Sequence, residues 1–535
     1  MGAWQAWYGR HHMSADGISY LDVANAYLRG DWKTAVNAYW SPLYSWLLGL
    51  AILVLKPSPY YEFTVFHLVN FVIYLFTILS FNFFLLQLVD YHRYKRVNIP
   101  ENRCMTFPEW AWIALGYSIF FQSSLDMIGV WEESPDMLVA AFVYLASGMI
   151  IRMRNGKTSH VTYALLGAAL GFGYLSKAVM FPLAFVFLSL SAFSMGNLRK
   201  ALTRTILSLF IFLIVASPFI AALSKSKGRI TFGDAGTYSY WFHVNGYNDY
   251  HWDGDPPGSG IPKHPPRKIY DKPAIYEFST PFDVTYSLWY DPSYWNDGLK
   301  VHFDLKEQLQ AIKRNVKMYY PLFYPRYSVV IFGSLILYLM SRRRRMVLMD
   351  IADHWNLFIP AIAGLSMYAL VNLDDRYVGP FFDLMWLGVL SGICLPDSED
   401  SKRLLKYVAI LMAFVMMVVT TLHVMPPESP PTHVQWQAAD ALNQMGIKSG
   451  DKVASIGNSH SHFWARLAKV RIVAEIPQES AAEFWTADAP AKSKVFKTFL
   501  KTGAIAVVTS LVPHNASLSG WQRLADTDYY VYMLN

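Results

Sequence analysis

Charged residues are sparse in this chain, and those that border or interrupt its apolar runs are the ones that could do chemistry. Asp16 lies in a polar, aromatic stretch, Ser14 to Tyr44, directly ahead of the first apolar run. A carboxylate held at the mouth of a membrane bundle is a candidate general base. The alternative is capping, because Ser14 and Asp16 both suit a helix N-cap. Asp22 and Asp31 are expected to be solvated or capping. Glu132, Glu133 and Asp136 flank Pro135 at the start of another apolar run, where they suit the positive end of a helix. They could form a second acidic group, an acceptor site or a metal site. Carboxylates and water favour a hard cation such as Mg²⁺ or Mn²⁺, but the spacing by itself requires no cofactor.

Lys177 interrupts an otherwise apolar segment, and a lone cation there is either functional or snorkels to the surface. If functional, it would bind phosphate as a point charge. Asp374, Asp375, Arg376 and Tyr377 sit between two apolar runs, with Pro380 close behind. Arg376 suits bidentate phosphate recognition; its alternative is an Asp–Arg pair closing an exterior turn. The Tyr and Trp residues of 224–325 could stack on sugars, but most are expected to sit at the headgroup level as an aromatic belt. His460 and His462 are read as a polar loop rather than a chelating pair.

The elements that must position these groups are mostly membrane helices. Of 535 residues, 53% are hydrophobic and only 16% charged, against about a quarter in average soluble chains. Many apolar runs approach bilayer length. The net charge of +7 does not point to nucleic acid, since much of the basic excess lies in short loops beside those runs, where it sets topology. The runs are Leu43 to Leu55, Phe63 to Val89, Trp110 to Leu125 and Met137 to Ile151. Val161 to Phe193 follows as a pair hinged near Lys177. Ile206 to Leu223, Tyr327 to Met340, Leu357 to Val371, Phe381 to Leu395 and Val408 to Val424 complete the set. Basic loops, above all Arg342 to Arg345, mark the inside. The segment around Glu132, the loop 224–325, the Asp374 turn and the C-terminal region then share the outside. One count stays open: either Leu43 to Leu55 is partly inserted, or the loop at His92 breaks the charge rule.

A first acidic loop on the outside ordinarily has a membrane helix before it, so an upstream apolar segment is expected. The two cysteines, Cys104 and Cys394, are not expected to form a structural disulfide. After a Pro-rich linker at 426–431 the composition becomes soluble. Strand candidates at 452–456, 471–475 and 504–508 alternate with helical stretches, the pattern of a small α/β domain with a parallel sheet. A further strand is expected at 529–533. The fold expected is mostly α: a polytopic transmembrane bundle over 1–424, with a first external loop at 10–42 and a long one at 224–325. A soluble α/β domain follows at 425–535.

Together these parts resemble the GT-C superfamily of membrane glycosyltransferases, which includes the protein O-mannosyltransferases and the bacterial aminoarabinose transferase of lipid A. The resemblance rests on Asp16 in the first external loop, then Gly30-Asp31-Trp32 and Ser41-Pro42-Leu43-Tyr44. The segment Glu133 to Leu138, the glycine-spaced run Gly167 to Lys177, and Asp375-Arg376-Tyr377 with Pro380 also carry it. It implies inverting transfer of a sugar from a polyprenyl-phosphate donor to a lipid, glycan or protein acceptor. Asp16 would serve as base, and Lys177, Arg376 and Tyr377 would hold the leaving phosphate. A bacterial inner membrane with a periplasmic C-terminal domain is the expected location. Asp16 stands alone where protein mannosyltransferases have Asp-Glu, which weighs against protein as acceptor. The rival classes are a transporter or flippase for lipid-linked sugars, for which no internal repeat is found, and a non-catalytic envelope assembly protein, which would tolerate loss of Asp16.

Overall fold

The structure is a computed structural model that describes residues 1–98, 104–195, 197–247, 251, 259–340, 353–424, 432–457, 460 and 462–534. The Arg342 to Arg345 run and the linker at 426–431 lie outside the described residues. The chain divides into two compact units. One comprises Met1–Tyr8, Asn70–Phe232 and Phe303–Pro426; the other comprises Gly9–Val69, Gly233–His302 and Pro427–Asn535.

The first unit is helical, and its helices fall on the apolar runs. They include Glu109–Phe121, Asp136–Arg154, His160–Ser176, Met180–Phe193 and Leu198–Lys227. After the amphipathic Leu305–Phe323 come Ser328–Met340, Trp355–Leu370, Asp375–Ser391 and Glu399–His423. Among the described residues, four helices, Pro59–Tyr94, Asp136–Arg154, Leu198–Lys227 and Glu399–His423, are long and apolar enough to cross a membrane. The pair Leu305–Phe323 and Ser328–Met340, bent by 77°, is a fifth candidate if counted as one span. Cap chemistry sets the boundaries: Ser159, Asn197 and Ser398 each accept a backbone N–H from the first turn of the helix they precede.

The glycine spacing at Gly167 and Gly171 has a packing reason. A Cβ at Gly167 would run into the carbonyl of Ser208, and one at Gly171 into Val215. Small residues four apart let His160–Ser176 lie close against Leu198–Lys227. The Ser208 hydroxyl donates to the Tyr163 carbonyl across that contact at 2.7 Å. The expectation about the cysteines fails. Cys394 is disulfide-bonded, and the backbone of Cys104–Met105 pairs antiparallel with Leu395–Pro396. Residue spacing could not reveal this, because the pairing joins segments far apart in the chain.

The second unit is built on a seven-stranded sheet. Lys452–Ile456 lies between Arg471–Ile476 and Ala506–Thr509, parallel to both. Tyr530–Met533 adds antiparallel to Ala506–Thr509, and Trp521–Arg523 closes that edge. The α/β pattern expected of the C-terminal region is therefore present. The other edge comes from the long loop: Arg267–Tyr270 and Ile275–Glu277 form a hairpin whose second strand pairs with Arg471–Ile476. Ile275, Val473, Ile476, Phe484, Trp485, Phe499 and Val507 share the core beside this sheet. Tyr238, Trp241, Tyr276, Tyr286, Tyr290 and Trp295 of the long loop are buried too. These aromatics pack as protein interior rather than as a headgroup belt, because the loop folds into a unit with its own core.

Candidate functional site

In the helical unit the sequence-selected charges converge. Lys177 ends His160–Ser176 in an extended conformation, φ −157° and ψ 135°, so its side chain leaves the backbone at the break between two apolar helices. Its Nζ lies 2.6 Å from Asp136 Oδ1 and 3.8 Å from the centroid of the Tyr377 ring, a cation–π geometry. Asp136 is the first residue of Asp136–Arg154, where the helix dipole favours its charge.

Arg376 occupies the first turn of Asp375–Ser391, whose N-cap is Asp374. Its guanidinium pairs with Glu132, and its Nε lies 3.8 Å from Asp136 Oδ2 and 3.6 Å from Asp374 Oδ2. The guanidinium carbon is 5.2 Å from the Tyr377 centroid, and Tyr368 stacks on Tyr377 with centroids 5.0 Å apart. Glu132, Asp136, Lys177, Arg376 and Tyr377 thus form one cluster. Glu133 is buried beside them in sequence, but the carboxylates that meet Lys177 and Arg376 in these pairs are Glu132, Asp136 and Asp374.

The metal reading of this segment finds no donor set. Glu132 and Asp136 are turned towards Arg376 and Lys177. Among the described residues, no group of three His, Cys, Asp or Glu side chains could hold an ion. The reading of the Asp374 segment as an exterior turn closing on itself captures only the Asp374–Arg376 contact; the arginine also reaches Glu132 from a distant segment. Sequence reasoning missed Arg326, which stands 3.0 Å from Asp126 and 3.1 Å from Asp375. The signal was available: each is a charge at the end of an apolar run.

The other unit holds Asp16. The helix Ala15–Leu28 is capped by Ser14, which accepts the Gly17 N–H at 3.1 Å, so the cap reading belongs to Ser14. Asp16 Oδ1 accepts from Trp289 Nε1 at 2.9 Å, a tryptophan supplied by the long loop on the one-turn helix Ser287–Tyr290. An indole N–H orients a carboxylate without neutralising it. The ring of His460 meets Trp289 edge-on at 5.1 Å. Burial lowers the His460 pKa below its ordinary value, while Glu475 and Asp16 pull it back. His462 is buried against Tyr286, with centroids 5.0 Å apart. Neither histidine behaves as part of a polar loop, because the sheet beneath them carries them into an aromatic interior. Glu475, missed by the sequence reading, accepts from Tyr286 at 3.0 Å and pairs with His251 at 2.8 Å.

Asp31 caps Trp32–Ala35 as expected. Asp22 is neither solvated nor capping. It is buried, pairs with Arg466 at 2.7 Å, and accepts from the backbone and hydroxyl of Thr285 at 3.0 and 3.1 Å. Arg466 also grips Glu62 through two nitrogens, at 2.9 and 2.5 Å. This Asp–Arg–Glu triad fastens three separate stretches of chain within the unit, together with the Thr285 segment.

No protein-family description matches the sequence, and no curated protein matches it either. Solved structures do. ArnT from Cupriavidus metallidurans in the apo state aligns over 99% of this chain and 96% of its own, with a TM-score of 0.51 at 12% identity. ArnT from the same organism bound to undecaprenyl phosphate gives a TM-score of 0.54 at 12% identity, with the same coverage. The archaeal oligosaccharyltransferase AglB from Archaeoglobus fulgidus aligns over 93% of this chain and 65% of its own, with a TM-score of 0.48 at 12% identity. At these identities the likeness is one of fold: along nearly the whole length of both chains, this protein shares the fold of the ArnT structures.

Proposed function

We propose that this protein is a membrane glycosyltransferase that moves a sugar from a polyprenyl-phosphate donor to a lipid, glycan or protein acceptor of the cell envelope, on the external face and with inversion. The observation that carries the reading is the pair of partly exposed cations, Lys177 and Arg376, gathered on Tyr377 in the helical unit. They belong to a fold shared with a protein crystallised with undecaprenyl phosphate.

In this reaction the acceptor hydroxyl gives its proton to Asp16 and its oxygen attacks the anomeric carbon. The bond from that carbon to the phosphate oxygen breaks on the opposite face, and polyprenyl phosphate leaves with the electron pair. Lys177 and Arg376 stabilise the charge that grows on the phosphate, and they act most strongly where water is excluded. Both cations already hold carboxylates, so the donor competes with Asp136 and Glu132 for them. Arginine's planar fork of N–H donors suits a phosphate as well as a carboxylate. Tyr377 holds the lysine over its ring and limits where the ammonium can go.

The test is sugar transfer or release from a panel of synthetic polyprenyl-phosphate sugars by purified protein in lipid, wild type against Asp16→Asn. The amide retains an acceptor oxygen for Trp289 and loses the charge and the basicity. Turnover that falls by roughly 10²- to 10⁴-fold, with donor binding retained, supports the reading. Turnover absent from both proteins moves the assignment to a carrier or assembly role for lipid-linked sugars. Equal turnover in both keeps the transferase and removes Asp16 as the base.

A further inference from the structure

The helix Leu305–Phe323 has an outward face that the chemistry above does not use. At 100° per residue, Leu305, Leu309, Val316 and Tyr320 fall in one narrow stripe, and all four are exposed. Lys306, Lys313 and Lys317 form a second stripe directly beside it and are exposed as well. The inward face buries Ala311 and Leu322 and is held by polar contacts. Gln308 donates to the Leu370 carbonyl at 2.7 Å, Asn315 to Ala369 at 3.0 Å, and Tyr319 to Leu365 at 2.7 Å.

Those carbonyls belong to the last turns of the apolar helix Trp355–Leu370, and those of Ala369 and Leu370 are among the four that have no partner inside their own helix. The C-terminal end of an apolar helix marks a boundary between hydrocarbon and water, and Leu305–Phe323 is pinned at that level. It meets the apolar helix Ser328–Met340 at a bend of 77°. If Ser328–Met340 enters the bilayer, Leu305–Phe323 runs along its surface.

We propose that this face is a binding surface for anionic phospholipid headgroups, with the Leu305–Tyr320 stripe among the acyl chains and the three lysines on the lipid phosphates. A stripe of apolar side chains beside a stripe of lysines is the pattern of a helix lying in the interface. The lysines supply the charge that complements an anionic leaflet. The occupant is the bilayer's own lipid, so the surface is independent of the sugar donor and of the role assigned to Asp16.

The experiment uses the full chain in vesicles of phosphatidylcholine and phosphatidylglycerol at 3:1, with photoactivatable probes of each lipid and peptide mapping of the crosslinks. In the wild type, the phosphatidylglycerol probe labels peptides from 303–323 roughly fivefold more than the phosphatidylcholine probe. The triple variant Lys306→Gln, Lys313→Gln, Lys317→Gln brings that ratio to about one. Replacing the same three lysines by arginine preserves the ratio. Lys494→Gln, Lys497→Gln, Lys501→Gln, with the same change in net charge on an exposed helix of the other unit, also leaves it unchanged. Equal labelling by the two probes in the wild type overturns the proposal, and so does a preference that survives the glutamine variant. Should that variant fail to fold, raising the salt on the wild type decides: a headgroup preference made by exposed lysines is screened away, and one that persists is not theirs.

Discussion

Two clusters of opposite charges, one in each unit, have nearly the same composition and different access to solvent. In the unit with the sheet, Arg466 lies between Asp22 and Glu62, and the three side chains are 7%, 7% and 12% exposed. In the helical unit, Lys177 and Arg376 lie among Glu132, Asp136 and Asp374, and the two cations are 26% and 18% exposed. A triad this well sealed from solvent works as a fastener. Breaking it leaves an uncompensated charge in a place water cannot reach. The second cluster combines a buried anchor, Asp136, with cations that a ligand can still approach. The difference teaches that ion-pair composition does not separate structure from function; exposure does.

The comparison breaks first at Arg466. Arg466→Met should cost about 3–5 kcal/mol of stability, the range for removing one partner of a buried pair, and should leave donor affinity per folded molecule unchanged. Thermal unfolding and donor binding measured on the same preparation check it. A variant that unfolds like the wild type would show that the triad is not a fastener.

Lys177→Met sharpens the other side. Asp136 keeps Arg376 near its second oxygen, so the fold should lose less than with Arg466→Met, while polyprenyl-phosphate binding weakens by roughly tenfold, as expected for one charge-assisted contact. If Lys177→Met instead unfolds the protein and binding per folded molecule is intact, the helical cluster is a second fastener and the contrast disappears.

The smallest effect is a pH dependence in the unit with the sheet. Burial depresses the His460 pKa below its ordinary 6.5. A depressed histidine contributes stability that is present above 6.5 and is lost as the pH falls through its folded value. Unfolding temperatures at pH 7.5 and 5.5 should therefore differ more in the wild type than in His460→Gln. A difference that is the same in both proteins would assign the acid sensitivity to other groups.

Much of the helical unit was legible in the sequence, because a bilayer demands long apolar segments and their ends carry their own cap chemistry. Lys177, Arg376 and Asp136 were found for the same reason: a charge bordering apolar sequence is costly and rarely idle. The alternating pattern of 452–508 was legible too, since a buried parallel strand is an uninterrupted apolar run. The long loop misled. Its Tyr and Trp residues read as an interfacial belt, yet Trp289 orients Asp16, Tyr286 holds Glu475, and the hairpin at 267–277 completes the sheet. Asp22 read as a surface carboxylate because local spacing says nothing about a distant arginine.

From residue order alone came the helices, their breaks and the charges worth testing, all set by local chemistry and by what hydrocarbon excludes. The partners of those charges were settled only in three dimensions. Asp136 with Lys177, Arg376 with Glu132, Asp22 with Arg466 and Asp16 with Trp289 join segments far apart in the chain. An ion pair or hydrogen bond depends on distance and burial, which sequence separation does not encode.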